Sequence, residues 1–171
     1  MTYLNSNQLK QYSDEGFVSP VNIFSKEKAK EIRDEIELIE KKLPNELEKT
    51  GRYNAHLISP MLDEVTHNEN ILNAVESLIG GNILVCGTTL FIKNPGEGGF
   101  VSYHQDAKYI GLEPHNWVTA WVAITDSNEN NGCMKMWSGS HKDNLKEHDQ
   151  NFNEKNLLTR GQTVKNVPDD Q

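Results

Sequence analysis

The chain has 171 residues, of which 36% are hydrophobic and 25% charged, and its formal net charge is −8. This length is enough for one domain with a buried core, and the composition is that of a globular protein. The charge argues against a nucleic-acid partner, because a phosphate backbone would repel it. No apolar run reaches the roughly 20 residues of a membrane span, and the N-terminus lacks the apolar core of a secretory signal.

The first predicted helix covers residues 25–42. Ser25 is a suitable N-cap, and Pro44 ends the element. Apolar residues recur at intervals of three and four, which places them on one buried face. These residues are Ala29, Ile32, Ile36, Ile39 and Leu43. The preceding stretch SPVNIF, residues 19–24, is compatible with a short strand.

A second helix is predicted over residues 70–79, and Gly80 and Gly81 form its stop signal. Its inward face consists of Ile71, Leu72, Val75, Leu78 and Ile79.

The pattern changes after residue 81. Residues 83–93 and 117–125 are rich in β-branched and aromatic side chains, and GCMKMW, residues 132–137, is a shorter candidate strand. We therefore expect a single domain over residues 1–171, with a helical front over about 1–81 and a β-rich part over about 82–171. The order of elements favours an α+β, mainly β fold: a β-sandwich or jelly roll with helices packed on one side.

The stretch SYHQDAKYIGL places His104 and Asp106 two residues apart after a glycine-rich loop. In an extended segment, residues i and i+2 point to the same face, so both side chains can reach one ion. Imidazole plus carboxylate, completed by a second histidine, is the facial triad of non-heme Fe(II) oxygenases. The pattern is weak alone, since chance gives roughly 0.3 such pairs in a chain of this composition. A second copy, His141 with Asp143, lies among Gly, Ser and Asn and favours a surface turn.

The remaining histidines and the cysteines have simpler interpretations. His115, in a loop, and His67 and His148, among polar residues, are expected at the surface. Cys86 and Cys133 show no Cys-x-x-Cys spacing, so we interpret them as small buried hydrophobic residues with free thiols, as suits the cytoplasm.

The blocks SYHQDA, VTAWVAITDS and NNGCMKMWSGSHK occur in this order, and the sequence from about residue 54 to 161 closely resembles the phytanoyl-CoA dioxygenase family of Fe(II)- and 2-oxoglutarate-dependent oxygenases. The resemblance implies a double-stranded β-helix, a cupin-like jelly roll with helices outside. It also implies Fe(II) as cofactor, 2-oxoglutarate as co-substrate, and molecular oxygen and a small molecule as further reactants.

The resemblance also assigns residues to roles. It implies that His104 and Asp106 are iron ligands and that Gln105 and Trp121 line the 2-oxoglutarate site, with core packing an equal alternative for Trp121. It places His56 near the substrate, and a structural hydrogen bond is an alternative role for this residue. Related halogenases lack the carboxylate, so Asp106 implies hydroxylation of a C–H bond with release of succinate and CO2. No cluster of lysines and arginines beside the motif suggests a coenzyme A site, which favours a small organic substrate over an acyl thioester.

The family pattern continues with a distal metal histidine and an arginine that binds 2-oxoglutarate, and neither block is found in the sequence. We therefore expect an incomplete barrel, weak metal binding and little turnover by this chain alone; turnover would point to His141 or His148 as a third ligand. A fragment of an oxygenase is favoured over a finished, non-catalytic binding or interaction module. Such a module would complete its sheet by self-association through open barrel edges.

Overall fold

The computed structural model describes residues 3–43, 47, 52–158 and 163–167. Within these ranges the α-helices are α1 Ser6–Glu15, α2 Lys26–Lys42, α3 Pro60–Thr66, α4 Glu69–Ile79 and α5 Ala107–Ile110. Short 3-10 turns cover Ala55–Leu57, Glu129–Asn131 and Ser140–Lys142, and the strands are β1 His148–Asp149 and β2 Thr163–Val164. No helix in the described part of the chain is both long and apolar enough to cross a membrane.

Helix α2 provides one side of the core. The Ser25 hydroxyl accepts a hydrogen bond from the backbone N–H of Lys28, so the predicted cap and the predicted helix are confirmed. Three of the five predicted apolar residues are buried, and they cluster with side chains from α3 and from the 3-10 turn that precedes it. The cluster contains Ile32, Ile36, Ile39, Leu47, Ala55 and Leu62. Leu43 is 45% exposed, because it lies just beyond the last turn of α2, and its predicted burial is wrong.

Helix α4 confirms the second predicted helix, beginning one residue earlier than expected and ending at Ile79. Its predicted inward face is half-buried, and no residue of α4 is fully buried.

Helices α1 and α3 were not predicted, although both have capping signals. Asn5 and Gln8 form a reciprocal capping box at the start of α1, and Gly16 ends α1 with a left-handed φ of 87°. At α3, the Ser59 hydroxyl accepts from the backbone N–H of Leu62, and Pro60 occupies the first turn. These caps show that polar residues, rather than apolar periodicity, define the two short helices.

The predicted strands over 83–93, 117–125 and 132–137 are wrong, as is the short strand over 19–24. The described residues contain one antiparallel pair, β1–β2, and two isolated bridges, Tyr53–Thr89 and Phe100–Asn156. A β-rich sequence forms a strand only when a neighbouring strand satisfies its backbone, and these segments have no such ladder within the described residues. Large apolar side chains in them are consequently exposed: Leu84, Val85, Phe91, Trp121, Met134 and Met136.

The loop-rich part still packs against the helices. Leu90, Ile92 and Ile124 are partly buried against the α2–α3 cluster. The β1–β2 pair aligns His148 with Val164, which is 5% exposed. The interpretation of the cysteines as buried is wrong for Cys86, which is exposed, while Cys133 is half-buried. The division into one domain with a helical front and a β-rich back stays a prediction.

Candidate metal centre

The two predicted ligands meet where a loop enters α5. His104 Nε2 and Asp106 Oδ1 lie 3.2 Å apart. The His104 side chain is 23% exposed and the Asp106 side chain 40%, so an ion from solvent can reach the pair. The structure therefore brings the imidazole and the carboxylate together.

The backbone conformation at this point differs from the expected extended segment. Asp106 has helical angles, φ −56° and ψ −34°, and directly precedes α5. The His104 ring packs edge-on against Tyr109 of α5, with the ring centroids 5.8 Å apart. The turn into α5, rather than strand alternation through both residues, sets their approach.

Each side chain of the pair is oriented by a further hydrogen bond. His104 Nδ1–H donates to the carbonyl oxygen of Ser102 over 2.8 Å, which turns Nε2 toward Asp106 and makes it the ring nitrogen that an ion would meet once its proton is displaced. The Thr119 hydroxyl donates to Asp106 Oδ2 over 2.5 Å, and Trp117 Nε1–H donates to Thr119 Oγ1 over 3.1 Å. The two carboxylate oxygens of Asp106 thus have different partners: Oδ1 faces His104, and Oδ2 accepts the hydrogen bond from Thr119.

Burial and hydrogen bonding act against each other on the pair. Burial lowers the pKa of His104, but hydrogen bonds with Asp106 and the Ser102 carbonyl outweigh it and raise the pKa above its usual value. The hydrogen bond from His104 is the largest influence on the pKa of Asp106 and lowers it, with help from Thr119 and against burial. Asp106 is therefore held ionised, which is the form that binds a metal ion.

The donor atoms fit a divalent ion such as Fe(II). Two ligand atoms about 2.1 Å from an octahedral ion, at right angles to each other, lie about 3.0 Å apart. The observed 3.2 Å between Nε2 and Oδ1 is close to this separation. No group of three His, Cys, Asp or Glu side chains placed to hold a metal occurs in residues 3–43, 47, 52–158 and 163–167. The described residues thus bring together one imidazole and one carboxylate, the two kinds of side chain that a facial triad uses.

The two residues predicted to line the 2-oxoglutarate site, Gln105 and Trp121, have different surroundings. Gln105 Oε1 accepts a hydrogen bond from the backbone N–H of Lys146 over 2.7 Å. Trp121 is 44% exposed, so the alternative that it packs in the core is wrong. Their predicted roles toward 2-oxoglutarate stay predictions.

His56 lies in the 3-10 turn before α3 and is half-buried. Its Nδ1 is 2.8 Å from the Thr88 hydroxyl, which is the structural hydrogen bond that the sequence left as an alternative.

The other histidines divide into exposed and buried. His67 and His115 are exposed, as predicted. His141 lies in an exposed 3-10 turn, as expected for the second His-x-Asp copy, and its Nε2–H donates to the carbonyl of Ser13. His148 was predicted at the surface, and this prediction is wrong: it is 9% exposed and lies in strand β1, where it pairs with Val164 of β2.

Sequence reasoning also missed Thr119 and His148. Thr119 lies in a stretch that was predicted as a strand. Threonine is common in strands, so its presence there gave no indication of a hydrogen bond to a carboxylate. The polar neighbours of His148 pointed away from burial, because only the pairing of β1 with β2 reveals its surroundings. Local sequence has no signal for either contact.

The comparison with protein families gives one decisive match: the model described as phytanoyl-CoA dioxygenase covers residues 12–170. The chain belongs to the phytanoyl-CoA dioxygenase family. The match extends farther toward the N-terminus than the resemblance seen in the motifs. A cupin-like jelly roll is the general fold of the family, whereas the described residues form one two-stranded sheet.

Individual relatives agree with the family assignment. "Phytanoyl-CoA dioxygenase domain-containing protein 1" of Danio rerio is 34% identical over 53% of this chain and 31% of its own length. "Phytanoyl-CoA dioxygenase, peroxisomal" of Rattus norvegicus is 30% identical over 85% of this chain and 50% of its own length. "Probable alpha-ketoglutarate-dependent hypophosphite dioxygenase" of Stutzerimonas stutzeri is 25% identical over 84% of this chain and 56% of its own length. The chain thus spans between 31% and 56% of the length of these relatives. The comparison with solved structures gives no significant match.

Proposed function

We propose that this chain belongs to an Fe(II)- and 2-oxoglutarate-dependent dioxygenase that hydroxylates a C–H bond of a small organic substrate, releasing succinate and CO2. The observation that supports the proposal most is the separation of 3.2 Å between His104 Nε2 and Asp106 Oδ1, within a chain of the phytanoyl-CoA dioxygenase family. The relative from Stutzerimonas stutzeri, whose name includes dependence on alpha-ketoglutarate, supports the choice of co-substrate.

The side chains around His104 and Asp106 have distinct proposed roles. His104 and Asp106 would hold the metal, with Thr119 orienting the carboxylate through its hydrogen bond to Oδ2. Iron with 2-oxoglutarate and oxygen supplies the oxidising power for attack on an unactivated C–H bond. Asp106 would supply the carboxylate ligand that related halogenases lack, which favours hydroxylation over halogenation.

Gln105 and Trp121 are proposed for the 2-oxoglutarate side of the centre. The Trp121 ring is accessible to a ligand, and the side-chain oxygen of Gln105 is oriented by a hydrogen bond from the backbone N–H of Lys146. His56 is proposed near the substrate, with its ring orientation fixed by Thr88.

A small organic substrate is preferred over an acyl-coenzyme A. The backbone N–H of Lys146 bonds to Gln105, and the Lys146 ammonium forms an ion pair with Asp143 over 2.7 Å. The same ammonium lies over the Trp137 ring, 4.5 Å from the ring centroid. A lysine with these two partners is a poor candidate for the phosphates of coenzyme A, because binding would have to break both contacts.

The proposal is tested by succinate release from 2-oxoglutarate with Fe(II) in excess. Because the described residues supply two ligands, we expect slow release by the 171-residue chain, falling to background in His104→Ala and in Asp106→Ala. The exposed residues His67 and Asp143 give matched controls, as His67→Ala and Asp143→Asn, which should retain the wild-type rate. Release that is the same in Asp106→Ala and in wild type would refute the proposal. A strong rate increase with acyl-coenzyme A, but not with small hydroxylatable acids or amines, would refute the choice of substrate class.

A further inference from the structure

His148 contacts the residue between the two proposed ligands. Its Nε2 accepts a hydrogen bond from the backbone N–H of Gln105 over 3.1 Å, across 43 residues of sequence. His148 is 9% exposed, and strand pairing with β2 holds its backbone in place. We propose that His148 is a positioning residue: it fixes the Gln105 backbone and thereby the approach of His104 to Asp106. The inference rests on the proposed metal centre.

The hydrogen bonds of His148 define its tautomer. Nδ1 lies 2.8 Å from the carbonyl oxygen of Lys146, which can only accept, so Nδ1 carries the proton. Nε2 is then the acceptor for the Gln105 N–H. A neutral imidazole has one donor and one acceptor, and both are used by backbone groups. His148 therefore has no lone pair left for a metal ion, and its effect on the centre must pass through Gln105.

The same hairpin region holds the motif on both sides of His104. Val164 N–H of β2 donates to the carbonyl of Tyr103 over 2.7 Å, and Lys146 N–H donates to Gln105 Oε1 over 2.7 Å. Asn156 Nδ2–H donates to the Ser102 hydroxyl over 2.9 Å. Since residues 101–105 belong to no strand or helix, such single bonds take the place of a ladder.

Among these bonds, the one from Gln105 to His148 acts on the backbone directly between the two ligands. Without an acceptor, the half-buried Gln105 N–H would lose its partner or turn toward water. Turning of this N–H toward water rotates the peptide that joins His104 to Gln105, which lies between the two proposed ligands. The two donor atoms would then be held less well at their mutual distance, and metal affinity should fall.

Three substitutions distinguish a positioning role of the His148 hydrogen bonds from a role of its side chain in packing alone. His148→Ala removes both hydrogen bonds. His148→Gln offers an amide oxygen near the place of Nε2 and can accept from Gln105, whereas His148→Asn offers an N–H near the place of Nδ1 and can restore only the bond to Lys146. A positioning role through Gln105 predicts rescue by Gln and not by Asn.

Two measurements are made on the full chain: Mn²⁺ affinity by titration, and hydrogen exchange of the Gln105 amide by NMR. In His148→Ala and His148→Asn we expect exchange at Gln105 to accelerate about tenfold relative to wild type. We expect the Mn²⁺ dissociation constant to rise about tenfold in the same two variants. His148→Gln should restore both values to within about threefold of wild type. The matched control is His67→Ala, an exposed histidine, which should change neither.

The outcomes separate the inference from the function on which it rests. Wild-type Mn²⁺ affinity in His148→Ala, or equal rescue by Gln and Asn, would overturn the positioning role while leaving the metal centre intact. If instead His104→Ala and Asp106→Ala bind Mn²⁺ as wild type does, the metal centre is refuted and the inference falls with it. Global unfolding of His148→Ala would be visible as accelerated exchange throughout α2, and the comparison of Gln with Asn then decides the question.

Discussion

The part of the chain before Gly80 and the part after it differ in how their backbones are satisfied. Helices α1 to α4 bond internally, and α2 and α3 bury a shared apolar cluster. Apart from 3-10 turns and isolated bridges, the regular elements of residues 82–158 are α5 and β1. Many hydrogen bonds in this part are isolated ones between residues that are distant in the sequence. The candidate metal centre lies in this second part.

The difference shows where single substitutions should matter. A helix distributes its stability over many repeated bonds, so large losses require removal of buried apolar volume. A loop-built centre depends on a few bonds, each of which fixes one atom of the site. The free energy of unfolding should therefore respond mainly to substitutions before Gly80, in the front part, and metal affinity mainly to substitutions after it, in the back part.

The largest effect is expected from Ile32→Ala in α2. Ile32 is 1% exposed in the core cluster, so its truncation should lower the free energy of unfolding by about 2–5 kcal/mol. Leu38→Ala is the matched control in the same helix, since Leu38 is 42% exposed and should lose less than about 1 kcal/mol. Denaturant unfolding followed by circular dichroism measures both. Similar losses in the two variants would show that α2 does not anchor a core.

Gly16→Ala tests the connection between the two parts. Gly16 has a φ of 87°, and an added Cβ would lie 2.5 Å from Nδ1 of His141 in the back part. We expect a loss of roughly 2 kcal/mol, because left-handed strain and the contact add together. Gly111→Ala controls for strain alone, since its φ is 62° and nothing lies within 4 Å of an added Cβ.

A double variant isolates the contact term in this experiment. Gly16→Ala should cost less in a His141→Ala background, as measured by thermal unfolding. An equal cost in both backgrounds would mean that α1 does not pack on the turn around His141.

Thr119→Val should weaken the centre without weakening the fold. It removes the hydroxyl that donates to Asp106 Oδ2, so we expect about a tenfold rise in the Mn²⁺ dissociation constant and little change in the unfolding midpoint. Thr119→Ser keeps the hydroxyl and should bind within about threefold of wild type. A drop in stability without a change in Mn²⁺ affinity would reverse the expected division between front and back.

The smallest effect is expected at the N-cap of α2. Ser25→Ala removes the acceptor for the Lys28 N–H and should cost about 1 kcal/mol in unfolding free energy. Ser25→Asp restores an acceptor and should be close to wild type. Chemical denaturation checks the pair, and no difference between Ala and Asp would argue that the cap is redundant. Neither variant should alter Mn²⁺ affinity.

The same difference explains what the sequence could predict. The periodicity around Ile32 and the glycines after Ile79 predicted α2 and α4, because helices are determined by residues a few positions apart. The segment 83–93 has strong β-propensity but forms no ladder among the described residues, because a strand needs a distant partner. His104 and Asp106 were found because their spacing is local. His148 was wrongly predicted to be exposed because its surroundings, Val164 and Gln105, come from distant parts of the sequence.

Paramagnetic broadening by Mn²⁺ tests most directly whether the first His-x-Asp copy, and not the second, is the metal centre. Both copies have the same residue types at the same spacing, but only His104 and Asp106 approach each other with oriented side chains; His141 donates to Ser13 and Asp143 pairs with Lys146. In a titration of isotopically labelled chain, we predict that the amides of residues 104–107 broaden at the lowest Mn²⁺ concentrations and that Asp106→Asn abolishes this. Earlier or equal broadening at residues 141–143, unaffected by Asp106→Asn, would contradict the proposed centre.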